Sequence, residues 1–190
     1  MPTLERILDF SKTLLQKAAQ PGDDVIDATC GNGNDTVFLA NLVGGRGHVY
    51  AFDIQSEAIQ ITNERMIASN LNNVTLIHDG HENVLEYVQT SISAAIFNLG
   101  YLPGSDKSIT THAATTWQAV NNIISLLKPG GVIILVIYHG HEAGKHERAE
   151  LEHLISTLPQ ATTQVLRYEF LNKKDAPYII AIEKNKKCCM

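Results

Sequence analysis

Asp24-Val25-Ile26-Asp27-Ala28-Thr29-Cys30-Gly31-Asn32-Gly33-Asn34-Asp35 reads as a short apolar strand (24–29), a glycine turn, and the start of a helix through Val37, Leu39 and Leu42. In an open α/β sheet, this junction is where backbone N–H groups and a helix dipole meet a polar ligand. Gly31 and Gly33 allow the backbone to approach that ligand without a Cβ clash. The third glycine of a pyrophosphate-binding turn is missing, and Asn34-Asp35 occupies its region. A carboxylate there repels a pyrophosphate but accepts a hydrogen bond from an ammonium. The turn therefore leans away from dinucleotides and towards a cofactor that carries an amino acid.

Outward from this turn, apolar runs of strand length alternate with stretches of helical period, the pattern of a doubly wound sheet. Leu4 to Ala19 has the spacing of an amphipathic opening helix, with Leu4, Ile7, Leu8, Leu14 and Leu15 on one face and Pro21-Gly22 as its stop. Further strands are expected over His48–Asp53, Val74–Asp79, Ala94–Leu99 and Val132–Tyr138, and helices over about Glu57–Asn70 and Thr110–Leu127. Lys128-Pro129-Gly130-Gly131 is expected to turn the chain into the fifth strand. Val165–Leu171 and Pro177–Glu183 are joined by a connection too short for a crossover helix, so they must pair as an antiparallel hairpin.

The bulk properties narrow the class. The 190 residues, 44% hydrophobic and 18% charged, suit one soluble domain with a proper core. We read 1–22 as an N-terminal helix and turn, 23–145 as the ligand-binding core with its loops, and 146–190 as a final helix, the hairpin and a short basic tail. A formal charge of −5 argues mildly against broad, sequence-independent nucleic-acid binding, which needs clustered Lys and Arg. Three cysteines, two of them adjacent in the tail, make neither a disulfide frame nor a zinc motif. No signal or membrane-spanning pattern is visible, and a cytoplasmic setting is expected.

Chemistry-bearing residues recur at the strand ends. Asp53, followed by Ile54 and Gln55, can accept hydrogen bonds from two ribose hydroxyls; standing alone it reads equally as a helix N-cap. Asp79-Gly80-His81 ends the third strand on the same edge, where Asp79 can accept from a base amino group or cap the next helix. Asn98-Leu99-Gly100-Tyr101 ends the fourth. The Asn98 side-chain oxygen and the Leu99 carbonyl can hold an N–H nucleophile while Tyr101 stacks on a flat acceptor. Tyr138-His139-Gly140-His141 follows the fifth strand. His139 and His141 fit a substrate-facing loop, with ordinary loop histidines as the alternative, and no third ligand is spaced for a metal.

DATCGNGNDTVFLA (27–40), AFDIQ (51–55), NLGYLPGSDKSITT (98–111), LLKPGG (126–131), YHGHEAGK (138–145) and FLNKKDAPYIIAIEK (170–184) together resemble the small bacterial rRNA methylase family of class I S-adenosylmethionine-dependent methyltransferases. The resemblance spans nearly the whole chain, and NLGYLPG with DKSITT is more specific than the glycine turn. It implies a Rossmann-like, seven-stranded, mostly parallel sheet with a C-terminal antiparallel hairpin and helices on both faces. It implies S-adenosylmethionine contacts at Asp27, Thr29, Gly31, Asn32, Gly33, Asn34, Asp35, Thr36, Asp53, Ile54, Gln55, the 79–81 stretch and Asn98. It also implies an acceptor pocket near Asn98, Gly100, Tyr101, Lys107, Ser108 and Thr110, closed by the 138–145 loop with Lys145. The family includes the enzyme that methylates the 5-aminomethyl group of the tRNA wobble uridine, so the expected partner is a tRNA anticodon stem-loop. Methylation of rRNA or a small molecule, and non-catalytic cofactor binding, are the alternatives. His139 stands where relatives often have proline. The opening helix or the hairpin can support a homodimer, and neither a metal nor a membrane is expected.

Overall fold

The computed structural model describes residues 3–99, 112–138, 142–173 and 176–186, with backbone alone for 142–147. In chain order the elements are α1 (Ile7–Ala18), β1 (Asp24–Asp27), α2 (Asn34–Val43), β2 (His48–Phe52), α3 (Ser56–Ala68), β3 (Val74–Ile77), α4 (Val84–Tyr87), β4 (Ile92–Leu99), α5 (Ala113–Leu126), β5 (Leu127–Ile137), α6 (Glu142–Ser156), β6 (Thr163–Tyr168) and β7 (Tyr178–Lys184). The strands form one sheet in the order β3-β2-β1-β4-β5-β7-β6. The first five are parallel, and β7 is antiparallel to both β5 and β6. This is a Rossmann-like, mostly parallel sheet closed by an antiparallel hairpin. The strand order reverses between β1 and β4, the topological switch point at which open α/β sheets bind ligands.

Alternation along the central strands supplies two cores. Phe97 and Leu99 of β4, with Ile133 and Leu135 of β5, face α5 and α6 through Val120, Ile123, Leu151 and Ile155. Ala94, Ile96, Ile134 and Val136 face the other side, where Leu15 of α1 and Leu39 of α2 cover them. Strands buried on both faces read as continuous apolar runs, which is why Ile92–Leu99 and Val132–Ile137 contain so little polarity. Among the described residues no helix is long and apolar enough to cross a membrane.

Three local readings change. The buried side of α1 is Ile7, Ser11 and Leu15, whereas Leu4 and Leu8 are exposed. A stripe at i, i+4, i+8 decides the seam, and Ser11 enters it because its hydroxyl donates back to the Leu8 carbonyl. Lys128-Pro129-Gly130-Gly131 lies within β5, which pairs with β4 at Leu127 and again from Val132, with a register shift between. β1 ends at Asp27, so Ala28 and Thr29 already belong to the turn.

Candidate functional site

The site begins where β1 ends. Asp27 has no exposed surface, and its carboxylate accepts from the Thr36 hydroxyl at 2.6 Å and the Thr29 N–H at 3.3 Å. Burial, reinforced by the nearby Asp35 and Asp53 charges, raises its pKa to about 7. Asp27 and the equally buried Thr36 thus hold the turn to the first turn of α2 from beneath. Gly31 and Gly33 carry φ of 49° and 75°, the left-handed region that favours glycine. A Cβ on Gly33 would come within 3.0–3.2 Å of Thr62. That glycine is therefore required by close packing against α3, while the Thr62 hydroxyl donates to the Gly31 carbonyl at 3.0 Å.

Asp53 stands at the end of β2 and accepts one backbone N–H on each oxygen, from Gly31 at 3.0 Å and from Gln55 at 3.0 Å. An ionised carboxylate offers about four acceptor positions, so one remains on each oxygen, an arrangement suited to a vicinal diol. Ile54 beside it is 56% exposed, an apolar surface next to the polar pair. Asp79 is differently placed. It accepts from the Gly80 N–H, the Asn83 amide and the Tyr87 hydroxyl, and these donors, Tyr87 first, hold its carboxyl below the usual range. It therefore acts first as the anchor of the short helical segment after β3. His81 is buried: Nδ1 lies 3.1 Å from the Ala28 carbonyl and so carries the proton. Burial lowers its pKa, and Nε2 has no hydrogen-bond partner among the described residues.

Asn98 joins the two halves. Its backbone N–H donates to the Thr29 hydroxyl at 2.7 Å, and its Nδ2 donates to Asp35 Oδ2 at 2.8 Å. A carboxylate can only accept, so the Asn98 amino group must face Asp35 and the Asn98 carbonyl oxygen must face away from it. Asn34 accepts from Arg65 of α3 at 2.7 Å, which occupies its side-chain oxygen on the outer side of the turn. Asn32 lies partly exposed between the two glycines. Tyr138, just beyond β5, is 44% exposed, and its phenol is pushed up by burial and by the Asp35 charge. It stays a neutral donor near the acceptor end of the site.

The family described as "Putative rRNA methylase" matches residues 49–183. The chain belongs to this rRNA methylase family. A relative from Arabidopsis thaliana, named as a chloroplastic tRNA (mnm(5)s(2)U34)-methyltransferase, is 37% identical over 191 residues, 95% of this chain and 70% of its own length. The crystal structure of a "putative rRNA-methylase" from Clostridium thermocellum is 42% identical with a TM-score of 0.94, covering 96% of this chain and all of that one. A "putative methyltransferase" from Streptococcus mutans, solved with SAH, is 38% identical with a TM-score of 0.89, covering 96% of this chain and 99% of that one. As a member of the rRNA methylase family, the chain is a methyltransferase.

Sequence reasoning brought Asp35, Asp53 and Asn98 to one edge, and the structure puts them around one turn. It missed Thr62, Arg65 and Tyr87, which buttress the turn and Asp79 from other helices. Thr62 and Arg65 are three residues apart on α3 and so share a face, but nothing local says that this face meets Gly31 and Asn34. Gly100, Tyr101, Lys107, Ser108, Thr110, His139 and His141 lie outside the described residues, as does the side chain of Lys145.

Proposed function

We propose that this methyltransferase converts the 5-aminomethyl group of a modified tRNA wobble uridine to 5-methylaminomethyl. Its methyl donor is S-adenosylmethionine. The residues fit that donor: Asp53 has acceptor capacity for the ribose hydroxyls, Ile54 offers an apolar face for the base, and Asp35 retains an oxygen for the ammonium. When bound, S-adenosylmethionine supplies an electrophilic methyl group on a cationic sulfur.

The observation that carries the reading is the fixed orientation of Asn98. With Nδ2 committed to Asp35 and the backbone to Thr29, the outward Oδ1 accepts an N–H of the incoming amine and directs its lone pair. Alignment is what such a displacement requires. Near-attack geometry in a water-poor pocket contributes up to about 7–11 kcal/mol in favourable cases. The amine must reach Asn98 as the free base, because an ammonium has no lone pair. His139 or His141 is assigned to receive that proton, with Tyr101 stacking on the pyrimidine.

The tRNA acceptor is supported by the 37% identical relative whose name specifies a modified uridine at position 34. The family description names rRNA instead, which makes an rRNA nitrogen the second reading. Incubating the protein with S-adenosylmethionine and tRNA bearing unmethylated 5-aminomethyluridine, followed by nucleoside mass spectrometry, tests the first. One methyl gained on that base, and lost in Asn98→Ala, is the expected result. A methyl that appears only when rRNA is the substrate refutes the tRNA reading.

A further inference from the structure

Beside the acceptor edge, α1 and the turn between β6 and β7 enclose a cleft of about 420 Å³ whose lining includes Leu8, Lys12, Phe170, Lys173 and Pro177. We propose that this cleft is a docking surface for the RNA backbone, a reading that rests on the RNA substrate proposed above.

Placement is the first argument. Tyr178 of β7 pairs with Ile137, the last residue of β5, and Tyr168 of β6 pairs with Ile179. The β6–β7 turn therefore lies on the same sheet edge as Asn98 at the end of β4. β7 is two strands from β4, roughly 10 Å at ordinary strand spacing. The Tyr168 hydroxyl donates to the Glu5 carbonyl at 2.8 Å, which holds the start of α1 against the same turn.

Charge is the second. The chain carries a formal −5, so a polyanion is repelled by the molecule as a whole and must approach where the sign is locally reversed. Among the described residues lining the cleft, Arg6, Lys12 and Lys173 are basic and Asp9 is acidic. Arg6 and Asp9 pair at 2.6 Å, leaving the two lysines as the excess charge.

Aromatic interleaving is the third. The Lys173 ammonium lies 4.4 Å from the centre of the Phe170 ring, Phe170 is 5.9 Å from Tyr168, and Tyr168 is 4.2 Å from Phe10. Leu171, at the rim of the same turn, is 94% exposed. Ammonium groups for phosphates, set among rings on which bases stack, are the components of single-stranded nucleic-acid surfaces. An apolar protein helix would leave both lysines without a counter-charge.

The test is fluorescence anisotropy of a labelled anticodon-stem-loop RNA hairpin over a salt series, using the full chain, K12E/K173E and K12R/K173R. Charge reversal is expected to weaken binding by tenfold or more and to flatten the slope of log affinity against log salt by about 1.4–1.8, the share of two phosphate contacts. The arginine pair is expected to retain both, and calorimetry with S-adenosylhomocysteine should give one affinity for all three proteins. Equal RNA affinity and slope in K12E/K173E overturns the docking surface. Charge-dependent hairpin binding without methyl transfer to 5-aminomethyluridine leaves the surface standing and sinks the wobble reading. Methyl transfer with an unchanged tRNA KM in K12E/K173E does the reverse. A wild-type chain that binds neither the hairpin nor rRNA fragments overturns both.

Discussion

Replacing Asp27 by Asn should remove a large part of the pH dependence of folding while leaving the cofactor site nearly intact. Asp27 is wholly buried, and its pKa is raised from 3.8 to about 7, by burial first and then by Asp35 and Asp53. Between those values the unfolded chain has lost the proton that the folded chain still holds. The unfolded state then binds fewer protons, so stability falls as pH rises through this window, by up to about 1.4 kcal/mol per unit. Over the roughly three units this amounts to about 4 kcal/mol, and to about 2–4 kcal/mol once the titration is shared with the neighbouring carboxylates. Asn keeps one oxygen for the Thr29 N–H, turns its amide N–H towards the Thr36 hydroxyl oxygen, and has no charge to bury. It weakens these bonds by about 1 kcal/mol. Urea unfolding of both proteins at pH 4.5 and pH 8 measures the difference. Wild type is expected to lose about 2–3 kcal/mol more than Asp27→Asn on going to the higher pH. Equal losses would refute the assignment of a buried, proton-holding carboxyl. Because Asp27 supports the turn from beneath, S-adenosylhomocysteine affinity in Asp27→Asn should stay within a few-fold of wild type.

Four further outcomes are expected. Asn98→Ala should lower turnover on aminomethylated tRNA about 100-fold at saturating substrates, since misplacement of about 1 Å has that effect, with S-adenosylhomocysteine affinity changed far less. Asp35→Ala frees the Asn98 amide, and should reduce turnover in the same direction while also weakening cofactor binding measured by calorimetry. Asp53→Ala removes the acceptor at the end of β2 together with the anchor of the Gly31 and Gln55 amides. A calorimetric affinity for S-adenosylhomocysteine at least tenfold weaker is expected, and an unchanged affinity counts against the ribose assignment. Tyr87→Phe deletes the leading donor to Asp79, so the Asp79 carboxyl should titrate at higher pH by NMR; a value that does not rise shows the hydroxyl to be a bystander.

Much of the site was legible in the chain because its residues sit at predictable places. Period-two and period-3.6 patterning puts Asp53, Asp79 and Asn98 at strand ends, and parallel strands linked by helices bring all such ends to one edge. The departures have a common origin. Ile7, Ser11 and Leu15 face the sheet, although Leu4 and Leu8 continue the apolar pattern, because the register of α1 on β4 and β5 chooses among overlapping stripes. Asp79 reads in the sequence as a base acceptor or a helix cap, and only the fold shows the Tyr87 hydroxyl, eight residues on, donating to one of its oxygens.

By itself, then, the sequence determined the strand–turn–helix at 24–35, the parallel sheet with its closing hairpin, and the edge on which the chemistry lies. These follow from local conformational preference and from connection lengths too short for any other pairing. Tertiary structure alone decided which way the Asn98 amide points, that Asp27 and Thr36 lie beneath the turn, and that Gly33 is needed against Thr62. Each depends on atoms from separate elements meeting within about 3 Å, and no local pattern encodes such a meeting. The Asn98 amide is oriented by Asp35, 63 residues earlier in the chain.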